Sequence, residues 1–351
     1  LMRAKIPIHS LLASFMIDNE TGYIKINRFA STTTQELTSA MGLLSEKGMK
    51  QLILDLRNNG GGLMDEAIKM IDLFISSQDT ILFTKGRMSG TDAVYRAHYQ
   101  APYKNIPVIA IINRGSASAS EIVSGALQDL DRGIVIGETS FGKGLVQRQY
   151  QLRDGSAARI TITKYYTPSG RLIQRPFDKT YEDYYTNLIE ENREANDSLL
   201  VEKPIYRTKA GRIVYGGGGI TPDYYVKNSL ELSPSARLVL SHPDRVLFNF
   251  ANYINEKLDH TDLDYNDFLL LYKINDMDKN VLFDIFQEKN IDYEKDDILA
   301  DWKVIENRIK AEIASIRWGK QYQYKTLLYI DTKIDSALIH FSDAKELINI
   351  N

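Results

Sequence analysis

A serine and a lysine stand 25 positions apart, each within a run of small residues that would let it approach a neighbouring chain closely. Ser118 lies in the segment Gly115–Ile122, and Lys143 lies in the segment Phe141–Gly144. A serine hydroxyl attacks an amide poorly unless a neighbouring group takes its proton, and a lysine amine is one recurrent solution. The two segments therefore indicate a serine nucleophile with a lysine base.

Lysine is a weak base at its usual pKa of about 10.4, because it carries a proton at neutral pH. Burial without a carboxylate partner disfavours the charged form, so we expect Lys143 to be buried. Gln147, four residues later, is expected to orient the lysine amine by a hydrogen bond without adding negative charge. Activity would then rise with pH as the lysine loses its proton.

The elements around these residues follow a strand, turn and helix pattern that occurs twice. Apolar runs at 51–56 and 108–112 predict buried strands, and a small-residue turn and a helical pattern follow each of them. The first helix is expected over about 65–76 and the second over about 118–130. Ser118 would therefore lie near a helix N-terminus, where free backbone amides and the helix dipole favour negative charge.

A negative charge develops on the carbonyl oxygen of an amide under attack, and backbone amides are the usual donors that stabilise it. The amide of Ala119 is a natural first donor if a helix begins at Ser118. A second donor needs a backbone that approaches closely, and Gly61 and Gly62 are candidates because they carry no side chain. We expect this glycine turn to be sensitive even to a small added side chain.

Four polar residues near Ser118 are given no catalytic role. Ser116 and Ser120 are interpreted as capping or packing hydroxyls. Glu121 and Asp129 are interpreted as structural groups that pair with other residues or hold helix ends.

Composition excludes several other functions. The formal charge is −3, from 43 basic and 46 acidic residues without a block of like charge, which argues against nucleic acid or anionic membrane surfaces as partners. There is no cysteine, and no apolar run approaches the roughly 20 residues that span a bilayer. The histidines lie outside both motif segments, so a Ser-His-Asp site has no local support. They are His9, His98, His242, His260 and His340. No metal or cofactor is expected.

The hydrophobic pattern divides the chain into three parts. Residues 1–20 are expected to be an extended lead-in, and residues 21–228 an α/β domain that carries the serine and the lysine. From residue 229 to residue 351, apolar residues recur at helical spacing, which predicts a separate helical domain.

Five segments together resemble the C-terminal processing (tail-specific) peptidases of the S41 family, over roughly residues 21–228. They are Asp55–Gly62, Gly115–Ile122, Gly125–Asp129, Gly137–Gln147 and Tyr166–Gly170. The resemblance implies a crotonase- and ClpP-like protease core, followed here by an α-helical C-terminal domain. It also implies a Ser-Lys-Gln site for endoproteolysis, and Ser118, Lys143 and Gln147 occupy the matching positions.

Members of this family usually carry a PDZ domain before the core, which captures substrate C-termini and regulates the site. No stretch of this chain is long enough to be one, so Lys5–Ile8 is expected to be the end of the segment that leaves such a domain. The resemblance implies protein or peptide substrates, a regulatory partner acting through a PDZ domain, and a periplasmic location in the bacterial cell envelope. A homo-oligomer is left open.

Three alternatives are weighed against a peptidase. Residues 137–143 fit the first seven positions of a phosphate-binding P-loop, but Gly144 lacks the hydroxyl that binds magnesium, and a strand pattern follows where a helix should open. A binding scaffold would keep the core without cleaving. An acyl-thioester enzyme would suit paired oxyanion amides, but it has no need for Lys143 with Gln147.

Overall fold

The computed structural model describes residues 9–75, 78–87, 89–98, 101–177, 203–227, 231–259 and 261–350. The segment Lys5–Ile8, expected to be the end of a linker, lies outside these residues. The described residues fall into two compact units, one within Leu1–Lys227 and Asp335–Asn351, the other within Asn228–Ile334. The predicted division at residues 228 and 229 remains a prediction, and the residues from Asp335 onward group with the first unit.

The strands of the described residues all lie in the first unit. They are β1 (Leu11–Met16), β2 (Thr21–Ile26), β3 (Gln51–Asp55), β4 (Thr80–Gly86), β5 (Ala93–Arg96), β6 (Val108–Ile112), β7 (Ile134–Gly137), β8 (Leu145–Gln151), β9 (Ala157–Tyr166), β10 (Ile205–Arg207), β11 (Ile213–Tyr215) and β12 (Tyr224–Tyr225). A six-stranded sheet has the order β1-β2-β3-β6-β7-β12, and a four-stranded sheet has the order β5-β4-β9-β8. The six-stranded sheet is parallel except for β1.

The helices divide between the two units. They are α1 (Thr33–Glu46), α2 (Met64–Asp72), α3 (Ala119–Asp129), α4 (Pro234–Ser241), α5 (Val246–Leu258), α6 (Tyr265–Leu271), α7 (Asp276–Glu288), α8 (Lys295–Ala300), α9 (Trp302–Trp318), α10 (Lys320–Leu328), α11 (Thr332–Ile339) and α12 (Phe341–Ile350). Helices α4 to α10 lie in the second unit, and the apolar faces of α4 to α9 share one core that includes Phe250, Phe268 and Phe286. The predicted helical C-terminal region is confirmed. None of the described helices is both long and apolar enough to cross a bilayer.

The centre of the first unit is buried on both sides of its sheet. Every residue of β3 and β6 is buried, as expected for parallel strands covered on both faces. Helix α3 is buried along its whole length, with small residues such as Gly125 and Ala126 that allow close packing. The turns that follow β3 and β6 therefore begin at backbone positions that the buried core holds in place.

Three turns follow the carboxyl ends of parallel strands in the six-stranded sheet. The Asn58–Gly62 turn follows β3, the Gly115–Ser118 turn follows β6, and the loop to Lys143 follows β7. Because β3, β6 and β7 are adjacent and parallel, their carboxyl ends lie side by side. Open α/β sheets usually bind their ligands just outside the carboxyl ends of the strands. The fold thus brings the predicted glycine turn, serine and lysine to one place.

Some elements differ from those that the sequence predicts. Helix α2 ends at Asp72, earlier than the expected residue 76. The pair β4 and β5 is not predicted, because the apolar run of β4 is only three residues long and β5 has only four residues. Strands β10 to β12 are also missed, since each has only two or three residues.

Asp55 is a fully buried carboxylate at the end of β3, beside the glycine turn. It accepts hydrogen bonds from the Tyr23 hydroxyl at 2.7 Å and from the Arg57 guanidinium at 2.6 Å, and the Lys25 amine lies 3.3 Å away. Burial opposes the charge, but Arg57 and Lys25 outweigh it and hold the pKa of Asp55 well below its usual range. This cluster ties the start of the glycine turn to β2.

We expect Asp55→Asn to lower the free energy of unfolding at pH 7 by about 3 to 5 kcal/mol, because it leaves buried positive groups without their partner. A depressed pKa contributes stability above the unfolded value of about 3.9, and that stability is lost as the pH falls further. The difference between the two proteins should therefore shrink at pH 3. Urea denaturation at both pH values measures it.

Glu20→Gln is the control, because Glu20 pairs with Lys50 on the surface and should change the urea midpoint little. Equal midpoints for Asp55→Asn and Glu20→Gln at pH 7 would contradict the role given to Asp55.

Candidate active site

Ser118 occupies an unusual backbone conformation between β6 and α3. Its φ is +56° and its ψ is −113°, in a region that side chains other than glycine rarely adopt. Ser118 is half-buried, whereas the two residues on each side of it are buried. The turn therefore leaves Ser118 accessible between buried neighbours.

The neighbouring serines bind the turn to the chain that follows β3. The Ser116 hydroxyl donates to the Leu56 carbonyl at 2.8 Å, and the Ser120 hydroxyl donates to the Asn59 carbonyl at 2.9 Å. Both side chains are buried. Their hydroxyls hold structure, as the sequence suggests, and neither is placed to meet a substrate.

Glu121 connects the serine turn to the lysine loop. Its Oε2 accepts the backbone N–H of Ser118 at 2.8 Å and that of Lys143 at 2.9 Å. Its Oε1 accepts the Ser140 hydroxyl at 2.5 Å and the Gly142 N–H at 2.7 Å. Burial raises the pKa of this carboxyl, and the four donors act in the opposite direction. One buried carboxylate oxygen thus holds the backbones of the serine and the lysine together.

The sequence predicts the contact of Glu121 with Ser118 but not its contact with Lys143. A glutamate three residues after Ser118 has the spacing of a helix cap, and Glu121 does accept the Ser118 amide. Nothing in the spacing shows that it also reaches Lys143, because that contact depends on how the loop after β7 folds. Glu121 is therefore a site residue that sequence reasoning treats only as structural.

Lys143 and Gln147 face each other at the start of β8. The Lys143 Nζ lies 3.4 Å from the Gln147 Oε1, which is a long hydrogen bond. Lys143 is half-buried and Gln147 is exposed, so the expectation of a buried lysine is wrong. The reason is that β8 lies at the edge of its sheet. Among the described residues no carboxylate pairs with the Lys143 amine.

The two candidate glycines differ in what their amides do. The Gly61 N–H donates to the Asn59 Oδ1 at 2.9 Å, so it is already engaged. Gly62 is exposed, and its N–H has no acceptor among the described residues, which is also true of the Ala119 N–H at the start of α3. Two backbone amides are thus available beside Ser118.

The backbone conformation and the close neighbours at positions 61 and 62 allow only glycine. At Gly61, φ is +93°, and an added Cβ would lie 2.8 Å from the Ser118 Cβ and 2.9 Å from the Ala119 nitrogen. At Gly62, φ is +149°, and a Cβ would lie 2.1 Å from the Phe29 carbonyl oxygen. The glycine turn therefore packs directly against the serine turn, with no room for a side chain.

Other chemistries have less support at this site. No cluster of three or more histidine, aspartate or glutamate side chains suited to a metal ion occurs among the described residues. Among the histidines described, His9 pairs with Glu36, His98 with Asp72 and His340 with Asp343, and no hydrogen bond joins any of them to Ser118. Strand β8 begins directly after Gly144, where a phosphate-binding loop would open a helix.

Known proteins resemble this chain over the same region. The family model of peptidase family S41 matches residues 20–183. The carboxy-terminal processing protease CtpA of Bacillus subtilis is 39% identical over 173 residues, which are 49% of this chain and 36% of that protein. The carboxyl-terminal-processing protease of a Picosynechococcus species is 40% identical over 149 residues, which are 42% of this chain and 35% of that protein. The alignments thus span about a third of these relatives.

Among solved structures, the photosystem II D1 C-terminal processing protease matches with a TM-score of 0.45 and 26% identity, over 64% of this chain and 50% of that one. The matched sequence region contains the serine turn, the lysine loop and the glycine turn described above. Residues 20–183 therefore match peptidase family S41, and the relatives that align with this region are C-terminal processing proteases.

Proposed function

We propose that this chain is a serine endopeptidase that cleaves protein substrates through an acyl-enzyme on Ser118. One observation carries the proposal: the Glu121 carboxylate binds the backbone amides of Ser118 and Lys143 at a single oxygen. Two segments that are far apart in sequence are thereby fixed beside each other, with a nucleophile on one and a base on the other. A Ser-Lys pair needs this arrangement.

The reaction assigned to the site uses Lys143 twice. Its neutral amine takes the Ser118 proton as the hydroxyl attacks the substrate carbonyl, and the ammonium then gives that proton to the leaving amine. In the second half, the amine takes a proton from water, whose oxygen attacks the ester carbonyl. The ammonium then returns that proton to the Ser118 oxygen as the ester bond breaks, which releases the product acid. Gln147 accepts a hydrogen bond from the amine and orients it.

The oxyanion hole is assigned to the amides of Ala119 and Gly62. Both N–H groups are free of acceptors among the described residues. Ala119 directly follows Ser118, and Gly62 directly follows Gly61, which packs against the Ser118 side chain. Gly61 was an equal candidate in sequence, but its amide donates to Asn59. We therefore give Gly61 the role of keeping space beside the Ala119 amide.

Three further parts of the proposal follow from the family. The core is assigned to the crotonase and ClpP-like class, which the parallel sheet with helices α1, α2 and α3 supports. The substrates are unfolded proteins or protein tails, and regulation would come through a PDZ domain. A periplasmic location and a homo-oligomeric state are proposals of the same kind.

Ser118→Ala and Lys143→Ala should each abolish cleavage of casein, an unstructured protein, because one lacks the nucleophile and the other the base. Fragment formation is followed by intact mass. Lys164→Ala is the control, since Lys164 is exposed on β9 and has no role in the reaction. Cleavage that persists in Ser118→Ala would refute the proposed function.

Gly61→Ala should lower kcat/KM by about 100-fold or more, which is the usual effect of losing an oxyanion donor. The added methyl group would lie against the Ala119 nitrogen and the Ser118 side chain. Gly60→Ala is the matched control, because a Cβ there meets no atom within 4 Å. If both variants lose activity equally, the effect comes from the turn as a whole and the assignment fails.

Glu121→Gln should reduce the rate at which Ser118 is acylated by a fluorophosphonate probe by tenfold or more. The amide group of glutamine would point hydrogens at two or more of the four donors that now meet the carboxylate, and each unpaired buried donor costs about 1 to 3 kcal/mol. Glu66→Gln is the control, because Glu66 is a buried glutamate that accepts from Thr34 at the start of α1 and not from the serine turn or the lysine loop. Equal labelling of both variants would contradict the role of Glu121.

A further inference from the structure

Strand β8 forms an open sheet edge directly after the lysine loop. The order β5-β4-β9-β8 leaves its outer side without a partner among the described strands, and its residues from Gln147 to Gln151 are all exposed. Edge strands are commonly protected by lysines, prolines or covering segments, because unpaired backbone groups are a template for another strand. Strand β8 has no proline and one charged residue, Arg148. Its edge is suited to accept a further strand.

The pairing of β8 with β9 determines which backbone groups face outward. The Leu152 N–H donates to the Ser156 carbonyl at 2.8 Å, which makes the even-numbered residues before it the ones bonded to β9. In an antiparallel ladder, bonded residues alternate with residues whose N–H and C=O point away from the partner strand. The outward groups are therefore those of Gln147, Gln149 and Gln151.

We propose that the polypeptide substrate binds as an added β-strand along this outer edge, through the backbone groups of Gln147, Gln149 and Gln151. The inference rests on the proposed peptidase function and specifies the form in which the substrate is held. Strand addition obtains its affinity from main-chain hydrogen bonds, which any extended polypeptide can supply. It therefore selects an unfolded segment over a folded surface.

The edge begins beside the reacting groups. The Tyr165 N–H donates to the Gly144 carbonyl at 3.0 Å, and the Tyr165 hydroxyl donates to the Ser118 carbonyl at 3.1 Å. Tyr165 thus joins the residue before β8 to the serine turn. Gln147, the first outward residue, also holds the Lys143 amine. A chain added along β8 would run directly to the serine and the lysine.

The side chains of β8 indicate what kind of segment fits. Those of Gln147, Gln149 and Gln151 lie on one face, where they offer neutral amides. Those of Tyr150 and Leu152 lie on the other face and are 40% and 50% exposed. Neighbouring side chains on one face of a sheet stabilise each other, so the added strand should be apolar at alternate positions. The preferred substrate is an amphipathic extended segment.

Hydrogen exchange of the Ser118→Ala protein with and without casein tests binding, because this variant holds the substrate without cleaving it. We expect casein to slow exchange of the amides of Gln147, Gln149 and Gln151, and to leave the even-numbered amides of β8 nearly unchanged. Unchanged exchange across β8, or failure of casein to bind, would overturn the proposal. Slow exchange at these amides before casein is added, with dimers in sedimentation, would assign the edge to a second copy and overturn it as well.

Gln149→Pro tests the same edge through turnover. Proline removes an outward N–H that makes no bond to β9, so the hairpin should keep its pairing. We expect kcat/KM for casein to fall at least tenfold. Arg153→Pro is the matched control, because Arg153 is the second residue of the turn closed by the Gly155 N–H on the Leu152 carbonyl, where proline is favoured. Equal rates for the two variants would overturn strand addition.

The two proposals fail in different ways. If Ser118→Ala cleaves casein as fast as the unaltered chain, the peptidase assignment is wrong whatever happens at β8. If Ser118→Ala is inactive but β8 shows no protection, the peptidase stands and its substrate is held elsewhere. Exchange measured on the inactive variant needs no catalysis, so it reports on the edge alone.

Discussion

The site depends on one buried carboxylate. Glu121 is the third residue of α3. Its two oxygens accept four hydrogen bonds, from the backbone N–H groups of Ser118, Gly142 and Lys143 and from the Ser140 hydroxyl. A buried carboxylate without partners would be costly, so the folded state strongly favours keeping both segments in place. The lysine loop is also held by the Phe141 N–H on the Ser116 carbonyl and by the Gly144 N–H on the Gln174 side chain. Among the described residues, however, Glu121 is the only acceptor of the Lys143 N–H itself. The position of the proposed base therefore depends on a carboxylate that takes no part in the proposed proton transfers.

A second constraint comes from how closely the turns approach each other. The backbone of Gly61 lies directly against the backbone of the serine turn. Asn59 bonds to both turns, because its side chain accepts the Gly61 N–H and its carbonyl accepts the Ser120 hydroxyl. Asp55 fixes the start of the same turn through its bond to the Arg57 N–H at 2.9 Å. The donors assigned to the oxyanion hole are therefore preorganised by contacts within the protein, which is what makes such donors effective in catalysis.

The parts that could be predicted from sequence are those that local pattern determines. The position of Ser118 before a helix, the need for glycine at Gly61 and the helical C-terminal region all follow from apolar spacing and turn residues. The reach of Glu121 to Lys143 could not be predicted, because it depends on a loop whose path is set by bonds between Ser140 and Ile220. Nor could the destination of α12, whose Asp343 accepts the Tyr224 hydroxyl at 2.7 Å. Helical periodicity shows that a helix has an apolar face, but not which core receives it.

The backbone at Ser118 has a consequence for how the chain can change over time. A residue held in a sparsely populated region of φ and ψ raises the free energy of the folded state by about 1 to 3 kcal/mol, and glycine would be free of most of that strain. Replacement of the proposed nucleophile by glycine, in Ser118→Gly, would therefore leave a more stable fold. Under the proposed function, a change to glycine would give a more stable but inactive protein, so selection for turnover would be needed to keep the serine.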